Sequence, residues 1–473
     1  MIKEDRQRRS HLAYAMAQAP RLVERMSWPA EQLAAHRTTS LRALLRVARA
    51  RSPWHRRRLA DVDIGGFEAA HLGELPVMTK DDLMDHFDEI VTDRRLSLDL
   101  VEAHLDQRSE AYLLGHYTVV TSSGSSGRRG VFVYDWDGWA MVFLGCRRPI
   151  LRVLATDPSL AGRSVVLASV SADGPNHPTA AMSRTFSGPL MRNERFPVTL
   201  PLSEIVSGLN GAQPTFLHGY PSMLYALANE TDAGRLRIAP TEVSSGGEPL
   251  FPEIRAALER AWGVRVRNVW GTSEGGGTAT GCGEGGTHLS EDLVIVEPVD
   301  EIGNPVGSGE RSAKVYLTNL YNHTLPLIRY EITDEVTLRN EACPCGSAHR
   351  SIEDIQGRLD DTFVYGELRV HPHLFRSALG QRRNILEYQV RQTSRGAAIT
   401  VRCRGPVNLQ VLERELAVGL ERLGLPSPEV SVTAAERLEK GVTGKLKRFV
   451  PLRPALPGAS RGGSAPRPRT AAR

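Results

Sequence analysis

The chain has 473 residues, 41% hydrophobic and 24% charged, enough for more than one core in an ordinary globular composition. Its net charge of +5 does not mark a nucleic-acid binder, because five arginines and no acid lie in the tail 453–473, leaving residues 1–452 formally neutral. Apolar runs such as Ser164–Val170 are too short to span a bilayer and Met1–Arg6 opens in mixed charge, so the expectation is a cytoplasmic protein with no membrane or nucleic-acid partner.

Residues 1–60 are Arg-rich and read as helical, with apolar positions at Leu41, Leu44, Leu45 and Val47. In Leu75-Pro76-Val77-Met78-Thr79-Lys80-Asp81-Asp82-Leu83, Thr79 is placed as an N-cap with Asp82 at the third helical position. From about 115 to 335, strand-like runs (Val165–Ala168, Thr215–Leu217, Val264–Val266, Leu293–Val296) alternate with helices such as Tyr220–Asn229 and Pro252–Trp262. That alternation predicts an α/β core with largely buried strands. The composition changes near 356–362. Beyond it, short strands (Ala398–Val401, Val430–Val432) accompany one helix, Val407–Leu423, bounded by Pro406 and Gly424. The expected division is a large α/β domain over 1–357, a small α+β domain over 358–452, and a disordered basic tail over 453–473.

Six segments carry chemistry. Val119-Val120 end a strand, and Thr121 through Gly130 fill a Ser/Gly turn; Ser122, Ser123, Gly124, Ser125, Ser126, Gly127 and Arg128 can surround phosphate oxygens with N–H, hydroxyl and guanidinium donors. The turn lacks the spacing of a Walker loop. Gly246-Gly247-Glu248 lies at a strand-to-helix turn, a common seat for a nucleotide. Trp270-Gly271-Thr272-Ser273-Glu274 offers an aromatic face for a base, a hydroxyl for phosphate and a carboxylate for Mg²⁺. Asp334 ends Leu327–Asp334 with an acceptor for two ribose hydroxyls. Gly357-Arg358-Leu359-Asp360-Asp361 sits at the domain change, and Lys445 stands on a Gly-flanked loop in the second domain.

This ordered set resembles the adenylate-forming superfamily of acyl-CoA synthetases, over roughly residues 45–450. Leu75–Lys80, the compact length, Ile328-Arg329-Tyr330 and Cys343-Pro344-Cys345-Gly346 resemble its phenylacetate–CoA ligase-like branch. The resemblance implies that Ser122–Arg128 hold ATP phosphates. It implies that Gly246, Gly247 and Glu248 form part of an adenine pocket beside Trp270, that Thr272 contacts phosphate, and that Glu274 holds Mg²⁺. It assigns Asp334 to the ribose and Arg358 to a further nucleotide contact, and makes Asp360 or Asp361 the hinge of a mobile small domain. Lys445 then contacts the carboxylate and α-phosphate during adenylation. The chain departs from the pattern with Arg128 for lysine, Arg129 for proline, Trp270 for tyrosine, and no glycine just before Asp334.

The implied function is activation of a small-molecule carboxylic acid as its acyl-AMP, followed by transfer to coenzyme A. Transfer to a carrier protein or an amine is one alternative, and a catalytically inactive binding relative is another; a homodimer is compatible with either. Acid-pocket candidates are His218, Tyr220, Gly275 and Gly276, and aromatic residues around a slot suit an aryl or short acyl group. Five cysteines do not make a disulfide framework in a chain this long. Cys282, His288, Cys343 and Cys345 instead supply three thiolates and an imidazole for a structural Zn²⁺.

Overall fold

The computed structural model describes residues 2–107, 110–122, 129–160, 162–172, 174, 176–188, 191–353, 363–380, 382, 384–438 and 449–452. The predicted domain junction near 357 and the tail 453–473 lie outside these residues. The N-terminal segment forms the helices Ile2–Glu24, Ala30–Arg51 and Pro53–Arg58. The capping box forms as expected: Asp82 N–H donates to Thr79 Oγ1 (3.1 Å), and Thr79 N–H donates to Asp82 Oδ2 (2.8 Å).

An eight-stranded sheet organises the large domain. Its order is Ser351–Ile352, Thr287–Leu289, Gly276–Gly281, Val266–Thr272, Glu242–Gly246, Phe216–Gly219, Val165–Ser171, Met191–Pro197. The last five strands are parallel and are joined by the helices Pro178–Thr185, Leu202–Ala212, Pro221–Asp232 and Pro252–Trp262. The Pro252 helix stops where expected, at Gly263 with φ +69°. Two expectations shift. Val264-Arg265 lie outside the strand, which starts at Val266 and runs through Trp270 to Thr272, so Trp270 sits within it rather than after it. Leu293–Val296 is not part of the α/β alternation: Val294–Val299 pairs antiparallel with Lys314–Asn319, which pairs with Tyr330–Ile332. The physical reason is the glycine run at 275–277, which turns the chain back on itself and ends the parallel series.

The segment before Lys80 docks on that three-stranded sheet. Met78 N–H donates to Arg329 O (3.0 Å), and Glu331 N–H donates to Met78 O (2.8 Å). The helix Trp136–Thr156, capped by Asp135 accepting from Gly138 N–H (2.8 Å), packs across the main sheet. The small domain has its own core, including Phe363, Phe375, Tyr388, Leu412, Leu416, Leu420 and Phe449. Its four-stranded sheet runs in the order Glu429–Ala434, Gly396–Cys403, Ile385–Thr393, Phe449–Val450. The expected helix appears as Leu409–Arg422, with Asn408 capping Val411 N–H (3.0 Å). Among the described residues no helix is long and apolar enough to cross a membrane.

Candidate active site

The parallel strands end together, and in open α/β sheets that carboxyl edge is where ligands bind. Glu242–Gly246 stops at Gly246-Gly247. Gly247 has φ +78°, and a Cβ there would lie 2.7 Å from the Tyr220 ring, so only glycine turns the chain at this point. Next to it, Val266–Thr272 and the returning Gly276–Gly281 strand shift register between Trp270 and Gly271. The tight return is pinned by Gly275 N–H donating to Thr272 Oγ1 (2.9 Å), with Thr278 Oγ1 3.1 Å from the same hydroxyl. Gly276 sits at φ +62° with Tyr321 Oη where a Cβ would be.

This turn projects Glu274 into the interior with 7% exposure. Trp270 Nε1 donates to Asp334 Oδ2 at 2.8 Å, which joins the aromatic and the carboxylate that the sequence reading assigned to one nucleotide. Burial pushes both carboxyls above their ordinary range. Lys80 draws Glu274 back down, while the Trp270 hydrogen bond and Lys80 draw Asp334 down. Lys80 is the residue the sequence reading missed as a site member. Its signal was present, because it opens the capped helix Lys80–Asp85, but only the pairing of Met78 with the strand Tyr330–Ile332 brings it beside both acids.

The phosphate-loop candidate enters and leaves at this edge. Ser122 N–H donates to Gly130 O (3.0 Å), Gly130 N–H donates to Ser122 Oγ (3.2 Å), and Ser273 Oγ donates to Thr121 O (3.3 Å). Arg129 is ion-paired with the buried Glu102. Ser123, Gly124, Ser125, Ser126, Gly127, Arg128, Arg358, Asp360, Asp361 and Lys445 lie outside the described residues.

Glu248 does not simply face an open pocket. Its carboxylate accepts from Ser222 N–H (3.1 Å) and meets His371 Nε2 of the small domain. Burial pushes the Glu248 carboxyl up, but His371 and the Ser222 N–H outweigh it and hold it at about 2. The His371 ring also stacks on Tyr220, with centroids 5.0 Å apart and planes 13° apart. The small domain thus touches the large one at two of the predicted pocket residues, through a histidine that no motif flagged. His218, one residue before its strand ends, shares a 3.0 Å hydrogen bond with Ser244 Oγ, and burial pulls its pKa down to about 3, so the imidazole is neutral.

A second constellation lies at the opposite end of the returning strand. Cys282, His288, Cys343 and Cys345 place one ligand atom each within 4.8 Å of one another. Cys282 and Cys343 sulfurs are 3.6 Å apart, far beyond a disulfide's ~2.05 Å but close to the ~3.8 Å set by two ~2.3 Å Zn–S bonds in a tetrahedron. Cys345 Sγ is 3.2 Å from His288 Nε2, and His288 Nδ1 is 2.9 Å from His349 O. That outer contact leaves Nε2 for a metal, the usual arrangement for a ligating imidazole. Gly286 N–H donates to Cys282 Sγ (3.2 Å), and a Cβ on Gly286 would lie 2.7 Å from Cys343 Sγ, so glycine keeps the cradle open.

No family model matches the chain. It is 28% identical over 358 residues to a phenylacetate–coenzyme A ligase of Thermus thermophilus, which covers 73% of this chain and 74% of that protein. It is 24% identical over 287 residues to Protein CapK of Staphylococcus aureus, covering 58% and 55%. Among solved structures it matches 2-hydroxyisobutyryl-CoA ligase bound to its acyl-AMP and CoA, with TM-score 0.58, 18% identity, and coverage of 90% and 91%. The fold is therefore that of the adenylate-forming enzymes. In sequence the recurring relatives are phenylacetate–coenzyme A ligases, to which the chain is similar over up to 73% of its length.

Proposed function

We propose that the protein activates a carboxylic acid with ATP as its acyl-AMP and passes the acyl group to coenzyme A. The observation that carries this reading is the convergence of Trp270, Asp334, Glu274 and Lys80 at the carboxyl edge of the parallel strands. Asp334, held on one oxygen by Trp270, keeps its other oxygen for ribose hydroxyls. Glu274 presents a hard oxygen in a water-poor setting, the ligand type that Mg²⁺ takes. Mg²⁺ bound there supplies neutralisation of phosphate charge. Lys80 adds a cation that favours the ionised form of both neighbouring carboxylates, against the burial that raises them.

The substrate carboxylate oxygen bonds to the α-phosphorus as the bond to pyrophosphate breaks. A thiolate then attacks the acyl carbon and AMP leaves with the electron pair of the anhydride bond. Positioning and charge neutralisation are the protein's contributions. We assign Ser122–Arg128 to the phosphates, Lys445 to the reacting carboxylate, Arg358 to the nucleotide and Asp360 or Asp361 to a hinge of the small domain. The cysteine–histidine cluster is assigned a structural Zn²⁺, because its four donors match that ion and it lies about 17 Å, five residues of strand, from the catalytic edge.

The test is ATP–pyrophosphate exchange over a panel of acids, followed by product analysis with CoA, a carrier protein and amines. Acid-dependent exchange with thioester formation is the expected result. Exchange with only amide or carrier-bound product reassigns the acceptor, and no exchange with any acid rejects the reading.

A further inference from the structure

A cavity of about 480 Å³ lies between the helix Trp136–Thr156, the cysteine–histidine cluster and the end of the strand Gly276–Gly281. Thr280 and Gly281 border it, so it sits at the end of that strand remote from Glu274 and the catalytic edge. Its volume falls within the ~300–1,000 Å³ of small-molecule sites and far exceeds what one metal ion fills.

The helix wall carries two arginines four residues apart, hence on one face, Arg148 and Arg152. Arg148 is 2% exposed. Its Nη1 donates to both oxygens of Asp292, at 2.8 and 2.9 Å, but its Nε is buried with no partner among the described residues. Asp292 is also shared with Arg25 at 3.7 Å, and Arg25 Nε has no partner either. The adjacent Glu291 is held by Arg37 at 3.0 Å and Arg350 at 2.8 Å. By distance, two carboxylates thus serve four guanidiniums. Arg152 is exposed and pairs with no acid among the described residues. Arg267, which reaches the cavity from the main sheet, is by contrast matched, with Nε 2.9 Å from Glu242 and Nη1 donating to Gly281 O at 3.3 Å. A buried guanidinium nitrogen without an acceptor is costly, and a planar oxyanion is the partner its geometry fits. Between the arginines and the N-terminal segment the lining turns apolar, at Met26, Pro149 and Val153.

We propose that this cavity is a second binding site, separate from the reaction centre, for an organic anion. Its oxyanion head takes Arg152 and the open Nε of Arg148, and its apolar body lies against Met26, Pro149 and Val153.

The experiment titrates the full chain, as purified with its metal, with anilinonaphthalene sulfonate and with N-phenylnaphthylamine, which has the same rings without the charge. Fluorescence should show saturable binding of one sulfonate per chain, unaffected by saturating ATP, and roughly tenfold or more weaker binding of the neutral probe. Arg152→Glu should weaken sulfonate binding by roughly tenfold or more, and Thr156→Trp, which sets a large ring at the rim, should block both probes. Neither should change Tm or zinc content, because both positions are exposed. Arg148→Lys, which keeps a cation for Asp292 and removes Nε, should also weaken the sulfonate. Equal affinity for the two probes, displacement by ATP, absence of saturable binding, or wild-type affinity in both Arg152→Glu and Thr156→Trp overturns the proposal. So does an Arg152→Glu variant that loses zinc yet binds the sulfonate as before, since the arginine then offsets the single negative charge that three thiolates leave on Zn²⁺. Pyrophosphate exchange, which reports on the carboxyl edge, tests the adenylation reading separately.

Discussion

Trp270→Phe isolates the most informative single contact in the site. It keeps an aromatic face at 270 and removes only the indole N–H, which donates to Asp334 at 2.8 Å. A hydrogen bond to a charged group contributes about 1.5–3 kcal/mol. At about 1.4 kcal/mol per decade this predicts a ten- to hundredfold rise in KM for ATP, if Asp334 must be ionised and oriented to hold the ribose. Because the Trp270 bond lowers the Asp334 pKa and burial raises it, losing the bond moves that pKa further up. The acidic limb of kcat/KM for ATP should therefore shift to higher pH, and Trp270→Tyr should be milder if its hydroxyl reaches the carboxylate. The assay is pyrophosphate exchange at varied ATP and pH with saturating acid. An unchanged KM for ATP and an unchanged acidic limb in Trp270→Phe would refute the link between the two residues.

Glu274→Gln should cut exchange by about a hundredfold or more. It should not lower thermal stability at neutral pH, because burial raises the Glu274 pKa; a group raised in this way contributes stability below its ordinary value and loses it as pH rises through the folded value. A variant that melts earlier at pH 7 contradicts this. Purified protein should carry one zinc per chain, and Cys343→Ser should lower both zinc content and Tm, the latter by roughly 5 °C or more; full stability without metal ends the zinc assignment. Gly247→Ala should destabilise by about 1–3 kcal/mol in a denaturant titration, from a φ of +78° and a 2.7 Å approach to Tyr220, and a neutral outcome would show that this turn relaxes freely.

What the sequence disclosed was local. Thr79 and Asp82 close a capping box three residues apart, and Pro252 and Gly263 bracket a helix, because those signals act within one turn of chain. The cysteine–histidine cluster was legible although it joins residues 282–288 to 343–345, because thiolates and imidazole have few structural uses at glycine turns. Leu293–Val296 was misplaced for the opposite reason: a buried apolar run looks the same in a parallel or an antiparallel sheet, and only its partner at 314–319 decides. Lys80 and His371 escaped because each acts across more than a hundred residues, on Glu274 and Asp334 in one case and on Glu248 in the other.

Lys80 and His218 illustrate why a sequence resemblance points to a reaction more readily than to a substrate. The acids assigned to nucleotide and metal lie at the strand ends, where glycine turns impose a recognisable sequence, and Lys80 is delivered to them by the backbone pairing of Met78 with Arg329 and Glu331, which needs no particular side chain. The side chains beneath the strand ends are set instead by which residues of neighbouring strands fall in register. His218 and Ser244, 3.0 Å apart at their polar atoms, stand 26 residues apart in the chain with no motif connecting them.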